Sequence, residues 1–268
     1  MIDINNINDL FIERLIQIAC RAGDKIMEIY HTDFDIYTKE DKSPVTEADK
    51  IANAMIESRL DEMTPKIPIL SEEGIDIDYK VRSNWNQYWL VDPLDGTKEF
   101  IKKNDEFTVN IALIDNCLPV LGVVYAPALN LLYWGSSAKN SYKLAGGNKK
   151  IINVLSKINE PVEIAVSRSH LSNSVNKILS KFNNYNLHPM GSSLKICSVS
   201  SGDVHFYPRM GPTMEWDTAA SHAIIKGAGG ELVNIKTNKP LIYNKKNLLN
   251  DGFVAAHLNI IDSLLLLK

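Results

Sequence analysis

The sequence predicts a mixed α/β protein in two regions. Three observations carry this. Helical periodicity fills the first sixty residues, β-rich segments separated by turn residues run from Ile67 to Trp134, and strands alternate with helices from Val162 onward.

The elements follow in order. In Ile7 to Tyr30, Phe11, Leu15, Ile18, Ala22, Ile26 and Ile29 recur at three- and four-residue steps, and Asn8 is placed to cap a helix there. Asp33 to Lys42 is polar and has no clear period. Thr46, with Asp49 three residues on, resembles a capping box and opens a second helix with Ala48, Ala52, Met55, Ile56 and Leu60 on its apolar face. Strands are expected at Ile67 to Leu70, Tyr88 to Val91, Phe107 to Ile114, Pro119 to Tyr125 and Leu131 to Trp134, in a largely antiparallel sheet backed by the two helices. Pro93 is expected to end the strand before it. The Lys- and Asn-rich stretch Asn148 to Glu160 marks a loose boundary, giving an N-terminal region of residues 1–155 and a C-terminal region of residues 156–268. The C-terminal region reads as strand Val162 to Ser167, helix Leu171 to Phe182, short helix Ser192 to Ser201 and strand Val204 to Tyr207. It continues with helix Trp216 to Ala228 stopped by Gly229-Gly230, strands Glu231 to Ile235 and Phe253 to Ala256, and a closing helix from Ile260 to Leu267.

The chain has 268 residues, 45% of them hydrophobic and 23% charged, as in ordinary soluble globular proteins. A net charge of −3 leaves no basic field for a nucleic acid polymer, although a local cation cluster would serve a nucleotide. Cys20, Cys117 and Cys197 form no ligand or disulfide pattern and are expected as buried free thiols in a reducing cytosol. The start Met1-Ile2-Asp3-Ile4-Asn5 is unlike a secretory signal. The longest aliphatic run, Leu264 to Leu267, is far short of the ~20 residues of a membrane span.

The most informative stretch is Trp89-Leu90-Val91-Asp92-Pro93-Leu94-Asp95-Gly96-Thr97. Two carboxylates at a strand end cost stability unless a cation sits with them. Glu72 after an earlier strand and Asp217 at a helix start complete a set of four acids at the ends of elements. Hard oxygen ligands of this kind suit Mg²⁺ shared with a phosphate. Each acid alone reads equally as a solvated loop or helix-start acid, and Asp49 alone as a helix cap. Gly96 lets backbone N–H groups approach a ligand, and a helix opening at Thr97 would turn them toward an anion; a plain Asp-Gly turn fits the same residues equally well. A cationic and polar set lies beside other element ends: Ser167-Arg168-Ser169-His170, Gly191-Ser192-Ser193-Leu194-Lys195 and Tyr207-Pro208-Arg209. It could hold a second phosphate, or be caps and surface charge. No Gly-x-x-x-x-Gly-Lys-Ser/Thr loop, Gly-x-Gly-x-x-Gly or Gly-x-Ser-x-Gly elbow is present.

Taken in order, Pro44-Val45-Thr46-Glu47-Ala48-Asp49, Ser71-Glu72-Glu73, Asp92-Pro93-Leu94-Asp95-Gly96-Thr97 and Trp216-Asp217-Thr218-Ala219-Ala220 resemble the inositol monophosphatase superfamily of metal-dependent phosphatases. The extended run Tyr88 to Ile114 and the three cationic segments are similar to the 3′(2′),5′-bisphosphate nucleotidases of bacterial sulfate assimilation. The resemblance implies a layered αβαβα sandwich of the sugar-phosphatase type, Mg²⁺ dependence with two or three ions, and inhibition by Li⁺. It implies metal ligation by Glu72, Asp92, Asp95, Asp217 and the Leu94 carbonyl, and water activation by Asp49 and Thr97. Gly96 and Thr97 would hold the scissile phosphate, beside Glu72, Leu94, Asp95 and Asp217. His170, Ser192, Lys195 and Arg209 would select the nucleotide. The superfamily usually has Gly where Ser221 stands, which puts close helix packing in question.

The implied reaction removes the 3′-phosphate of adenosine 3′,5′-bisphosphate, giving AMP and phosphate. Inositol or sugar monophosphate hydrolysis shares every metal motif and stays open, as do a non-catalytic nucleotide sensor on the same scaffold and a structural domain whose acids bind nothing. The implied partner is a small bisphosphate nucleotide, with no nucleic acid polymer. The protein is expected to be a cytoplasmic monomer or homodimer, with loose attachment to the inner face of the membrane left open.

Overall fold

The computed structural model describes residues 1–38, 44–168 and 173–265. In chain order the N-terminal region holds α1 (Asp9–Tyr30), β1 (Ile36–Thr38), β2 (Pro44–Thr46), α2 (Glu47–Met63), β3 (Ile69–Ser71), α3 (Tyr79–Arg82), β4 (Gln87–Asp95) and α4 (Thr97–Ile101). Then come β5 (Thr108–Asp115), β6 (Leu118–Ala126), β7 (Leu131–Ser136), β8 (Ser141–Ala145) and β9 (Asn148–Ile152). The C-terminal region holds β10 (Val162–Ser167), α5 (Asn173–Leu179), β11 (Tyr185–Met190), α6 (Leu194–Ser200), β12 (Phe206–Arg209), β13 (Thr213–Met214) and α7 (Glu215–Gly227). It ends with β14 (Glu231–Asn234), β15 (Leu249–Asn250), β16 (Phe253–Ala256) and α8 (Leu258–Leu265).

A seven-stranded sheet runs β3-β4-β5-β6-β7-β8-β9. Only its β3–β4 pair is parallel. A five-stranded sheet runs β11-β10-β12-β16-β14. Period-two burial sorts the side chains into layers. Trp89, Val91, Ile111, Leu113 and Val123 face α1 and α2, while Tyr88, Leu90, Ala112, Ile114 and Val124 face Ala219, Ala220 and Ile224 of α7. In the second sheet Ala165, Phe253 and Ala255 pack with Ile196 and Val199 of α6 and Ile225 of α7, and Ile164, Val166 and Val254 pack with α5 and α8. The order is therefore helices, sheet, helices, sheet, helices.

Local chemistry explains the boundaries. The Asn8 side chain accepts from Phe11 N at 2.9 Å and starts α1. Asp49 accepts from Thr46 N at 2.7 Å and starts α2. Gly229, at φ 87°, continues the chain past α7 in the left-handed region. Pro93 does not end its strand. β4 continues to Asp95 and the register against β5 shifts between Asp92 and Asp95, so Pro93 sits where no ladder N–H is needed. Cys117 is exposed rather than buried, because Asn116 and Cys117 form the two-residue turn joining β5 to β6, with φ of 47° and 64°. Cys20 is half-buried and Cys197 buried, and all three are free thiols. Strands β8, β9 and β11 were not expected. No described helix is long and apolar enough to cross a membrane.

The middle layer depends on one close approach. A Cβ at Gly122 of β6 would lie 2.1 Å from the Ala220 carbonyl oxygen of α7. Ser221, by contrast, is buried without strain and donates to Thr218 O at 3.0 Å. Behind α7, buried His222 bonds Glu231 and accepts from, or donates to, Tyr243 OH at 2.9 Å. Burial lowers the His222 pKa. Burial alone would raise Glu231, but hydrogen bonds from His222 and Lys226 outweigh it and bring it down to about 2.

Gly122→Ala is expected to cost about 3 kcal/mol of stability, read as a lower urea midpoint with unchanged slope. The Glu231 stabilisation is present above the unfolded carboxyl value of 4.5 and lost as pH falls toward about 2. His222 acts in the same direction, since the unfolded imidazole binds a proton below 6.5 before the buried one does. The stability difference between wild type and Glu231→Gln should therefore shrink as pH falls below 4.5, as measured by urea titration of both across pH.

Candidate active site

Four elements meet at one end of the first sheet. Glu72 follows β3, held by its N–H to Val91 O at 3.1 Å. Asp92 lies in β4 at the register break, and Asp217 is the third residue of α7. Carboxylate oxygens of Glu72, Asp92 and Asp217 all lie within 4.8 Å of one another. Asp92 is 1% exposed. Its Oδ1 accepts from Leu94 N at 3.1 Å, and its Oδ2 is buried with no hydrogen-bond partner among the described residues. Desolvation, then the charges of Glu72 and Asp95, push the Asp92 pKa well up; desolvation, then Asp95 and Glu72, do the same to Asp217. A cluster of hard oxygens, one lacking any donor, fits a divalent cation.

Asp95 stands beside this trio rather than within it. Its Oδ2 accepts from Ser192 Oγ at 2.7 Å and Ser193 Oγ at 3.0 Å, with Asn110 Nδ2 at 3.4 Å. Ser193 Oγ is also 2.8 Å from Asp217 O, and Asn110 Nδ2 donates to it at 2.9 Å. Thr108 bonds the Ser192 hydroxyl. Ser192 has φ 51°, which turns its hydroxyl back onto the end of β4.

Asp49 divides its two oxygens. Oδ2 takes the Thr46 N–H and hydroxyl, at 2.7 and 2.6 Å, and Oδ1 lies 3.3 Å from Thr97 Oγ1. Thr97 Oγ1 is 3.5 Å from Leu94 O. Gly96, at φ 92°, caps α4, and a Cβ there would press on Glu106 O at 3.2 Å.

Asp95, Gly96, Ser192, Lys195, Arg209 and Asp217 line one cleft of about 750 Å³ counted out to its open mouth. Lys195 is buried, and its Nζ donates to Ser192 O at 2.6 Å and Met190 O at 3.2 Å. Burial lowers its pKa to about 8, against the pull of Asp95. Arg209 Nη2 donates to Pro212 O at 3.0 Å, while its Nε is buried with no partner among the described residues. The cleft is thus lined by carboxylates, Asp95, Glu99 and Asp217, and by cations, Lys98, Lys195 and Arg209.

Every site residue expected from the sequence borders this region except His170, which lies outside the described residues. Arg168 is engaged by Glu106. The sequence reading gave Glu106, Thr108 and Asn110 no role, and placed Ser193 only within the cationic and polar set. A usable signal was present: Thr108 and Asn110 are polar on the strand face whose next members, Ala112 and Ile114, are apolar and buried.

The model of the inositol monophosphatase family matches residues 8–266. The chain belongs to the inositol monophosphatase family. Among its relatives, the 3′(2′),5′-bisphosphate nucleotidase CysQ of Escherichia coli K12 is 45% identical over 245 residues, covering 90% of this chain and 98% of that protein. CysQ of Buchnera aphidicola is 42% identical, covering 95% and 97%. The crystal structure of CysQ from Bacteroides thetaiotaomicron is 41% identical and superposes with a TM-score of 0.81, covering 91% of this chain and 96% of that one. SuhB of Bartonella henselae, at 23% identity and a TM-score of 0.80, shares the fold. The family is metal-dependent and enzymatic, and the cluster of Glu72, Asp92 and Asp217 in this member could hold a metal ion.

Asp92→Asn removes one of three crowded charges and gives the cluster a donor. The metal-free variant is expected to gain about 1 kcal/mol of stability while losing the rise in melting temperature that divalent cations give the wild type. Calorimetry with and without Mg²⁺ measures both.

Proposed function

We propose that the chain is an Mg²⁺-dependent phosphatase that removes the 3′-phosphate of adenosine 3′,5′-bisphosphate, giving AMP and phosphate. The observation that carries this reading is a cleft that holds both signs of charge. The acid cluster reaches it through Asp217, and Lys195 and Arg209 form a second, cationic pole in its lining, so a substrate with two phosphates matches both. The likeness to CysQ nucleotidases at 45% and 42% identity over nearly the whole chain supports it.

In this reading Glu72, Asp92, Asp95, Asp217 and the Leu94 carbonyl hold the cations. Bound there, divalent cations supply charge that stabilises the phosphoryl group and its leaving oxygen. The residues of the chain do the rest. Thr46 fixes Asp49, and Asp49 fixes the Thr97 hydroxyl, whose lone pairs can then accept a hydrogen bond from a water and orient it. Proton loss from that water is taken up by the Asp49–Thr97 pair. The Gly96 and Thr97 backbone N–H groups hold the scissile phosphate. Ser192, Lys195, Arg209 and His170 receive the nucleotide and its 5′-phosphate. Positioning and fixed charge carry most of the barrier reduction, as in phosphoryl transfer generally.

Phosphate release should be fastest from adenosine 3′,5′-bisphosphate in a panel with inositol monophosphate and AMP, and should stop without Mg²⁺. Preference for inositol monophosphate would sink the assignment. Thr97→Ala should lower kcat by about 100-fold or more with little change in KM, since the water loses its orienter. Asp95→Asn should lower kcat by about 100- to 1,000-fold with the fold intact by circular dichroism.

A further inference from the structure

Met190 to Ser193 form a strap between the two poles of the cleft. On one side the Ser192 and Ser193 hydroxyls hold Asp95 Oδ2. On the other, the Met190 and Ser192 carbonyls hold Lys195 Nζ. The strap is not self-supporting, because it leaves β11 through Gly191 and then takes a positive φ at Ser192. Its Ser192–Ser193 end is held from outside by Thr108, Asn110 and the Asp217 carbonyl, so its Gly191 end needs a support of its own.

Glu106, on the loop before β5, makes contacts suited to that. Its Oε2 accepts from the Gly191 N–H at 2.7 Å and from Arg168 Nε at 3.0 Å, and its Oε1 accepts from Arg168 Nη2 at 2.5 Å. The same Arg168 Nη2 reaches Pro189 O at 3.1 Å, in the strand that leads into the strap. Asn104 Oδ1 accepts from Glu106 N at 3.2 Å and steadies the loop. The packing is close: a Cβ at Gly191 would fall 2.7 Å from Glu106 O, and one at Gly96 would fall 3.2 Å from the same atom. The Glu106 backbone thus abuts the glycines on both sides of the cleft while its carboxylate grips the strap. The Glu106 carboxylate also raises the Arg168 pKa, as a two-point ion pair does.

We propose that Glu106 is a positioning residue for the reaction, which through the Gly191 amide and Arg168 fixes the strap that sets Asp95 and Lys195 at their working separation. This rests on the bisphosphate reading of the cleft. It follows that Arg168 serves the strap rather than the substrate. It also follows that the two poles are coupled, since one displacement of the strap moves the support of both. A small misplacement of such supports is costly in rate even where no catalytic group is removed.

The test compares wild type, Glu106→Ala and Glu106→Gln with Mg²⁺ on adenosine 3′,5′-bisphosphate and on adenosine 3′-monophosphate, which lacks the second phosphate. Glu106→Ala should lower kcat about tenfold on both substrates, through Asp95, and raise KM about tenfold for the bisphosphate alone, through Lys195. Glu106→Gln keeps an acceptor for the Gly191 N–H but sets an NH2 against Arg168 Nη2, so it should recover part of both losses. Equal losses on the two substrates without a KM split, or a Gln variant no better than the Ala variant, would overturn the assignment. Amide hydrogen exchange adds a readout free of turnover: Gly191 should exchange about tenfold faster or more in Glu106→Ala and stay slow in Glu106→Gln. Unchanged exchange in the Ala variant would also overturn it. A wild type inactive on both substrates would count against the function instead. The exchange result, with calorimetric affinity for adenosine 3′,5′-bisphosphate in each variant, would still decide the role of Glu106.

Discussion

Holding Glu72, Asp92 and Asp217 within 4.8 Å of one another is the constraint that most of the surrounding structure serves. Like charges in a desolvated place repel and raise one another's pKa, and fixed backbone holds the carboxyl groups in place against that repulsion. The chain uses one device repeatedly. Asp92, Asp217 and Asp49 each give an oxygen to a nearby backbone N–H, of Leu94, Met214 and Thr46 respectively. The local bond fixes the side chain and leaves the remaining oxygen for the site. Two of these bonds are helix starts and the third belongs to the bulge in β4, so the elements and the site are made by the same contacts.

The layers bring those starts together. Helix α7 lies between the two sheets and contributes to both inner cores, with Ala219 and Ala220 on one side and Ile225 on the other. Gly122 allows it to sit directly on β6. Without that approach Asp217 would stand back from Asp92. The strap at Met190 to Ser193 plays the corresponding role for Asp95, which is held by hydroxyls that come from the second half of the chain.

The features legible in the sequence are those whose signal is local. The α1 and α2 faces, the caps at Asn8 and Thr46, and the central strands repeat at the spacing their burial demands. The four acids were legible because their motifs occur in order, and the structure brings three of them together. What escaped were strands at or near sheet edges. β9, Asn-Lys-Lys-Ile-Ile, and β11, with His188 and Pro189, are buried on neither face for most of their length, so no period-two pattern marks them. The supports of the site escaped for a different reason. Ser193 is 98 residues from Asp95, and Gly191 is 85 residues from Glu106, separations across which no spacing rule applies. Pro93 was misread because a proline ends a strand only where its missing N–H would have been used.

The tight turn at Asn116 and Cys117 has a practical consequence. It places an exposed thiol at one end of β5, while Thr108 at the other end borders the strap. Eight residues of extended chain separate the two by about 25 Å. The other two thiols are half-buried or buried, and burial raises the pKa of both. A fluorophore attached by mild alkylation would therefore label Cys117 first. It would report on tumbling, association or unfolding of the native chain while standing clear of the chemistry.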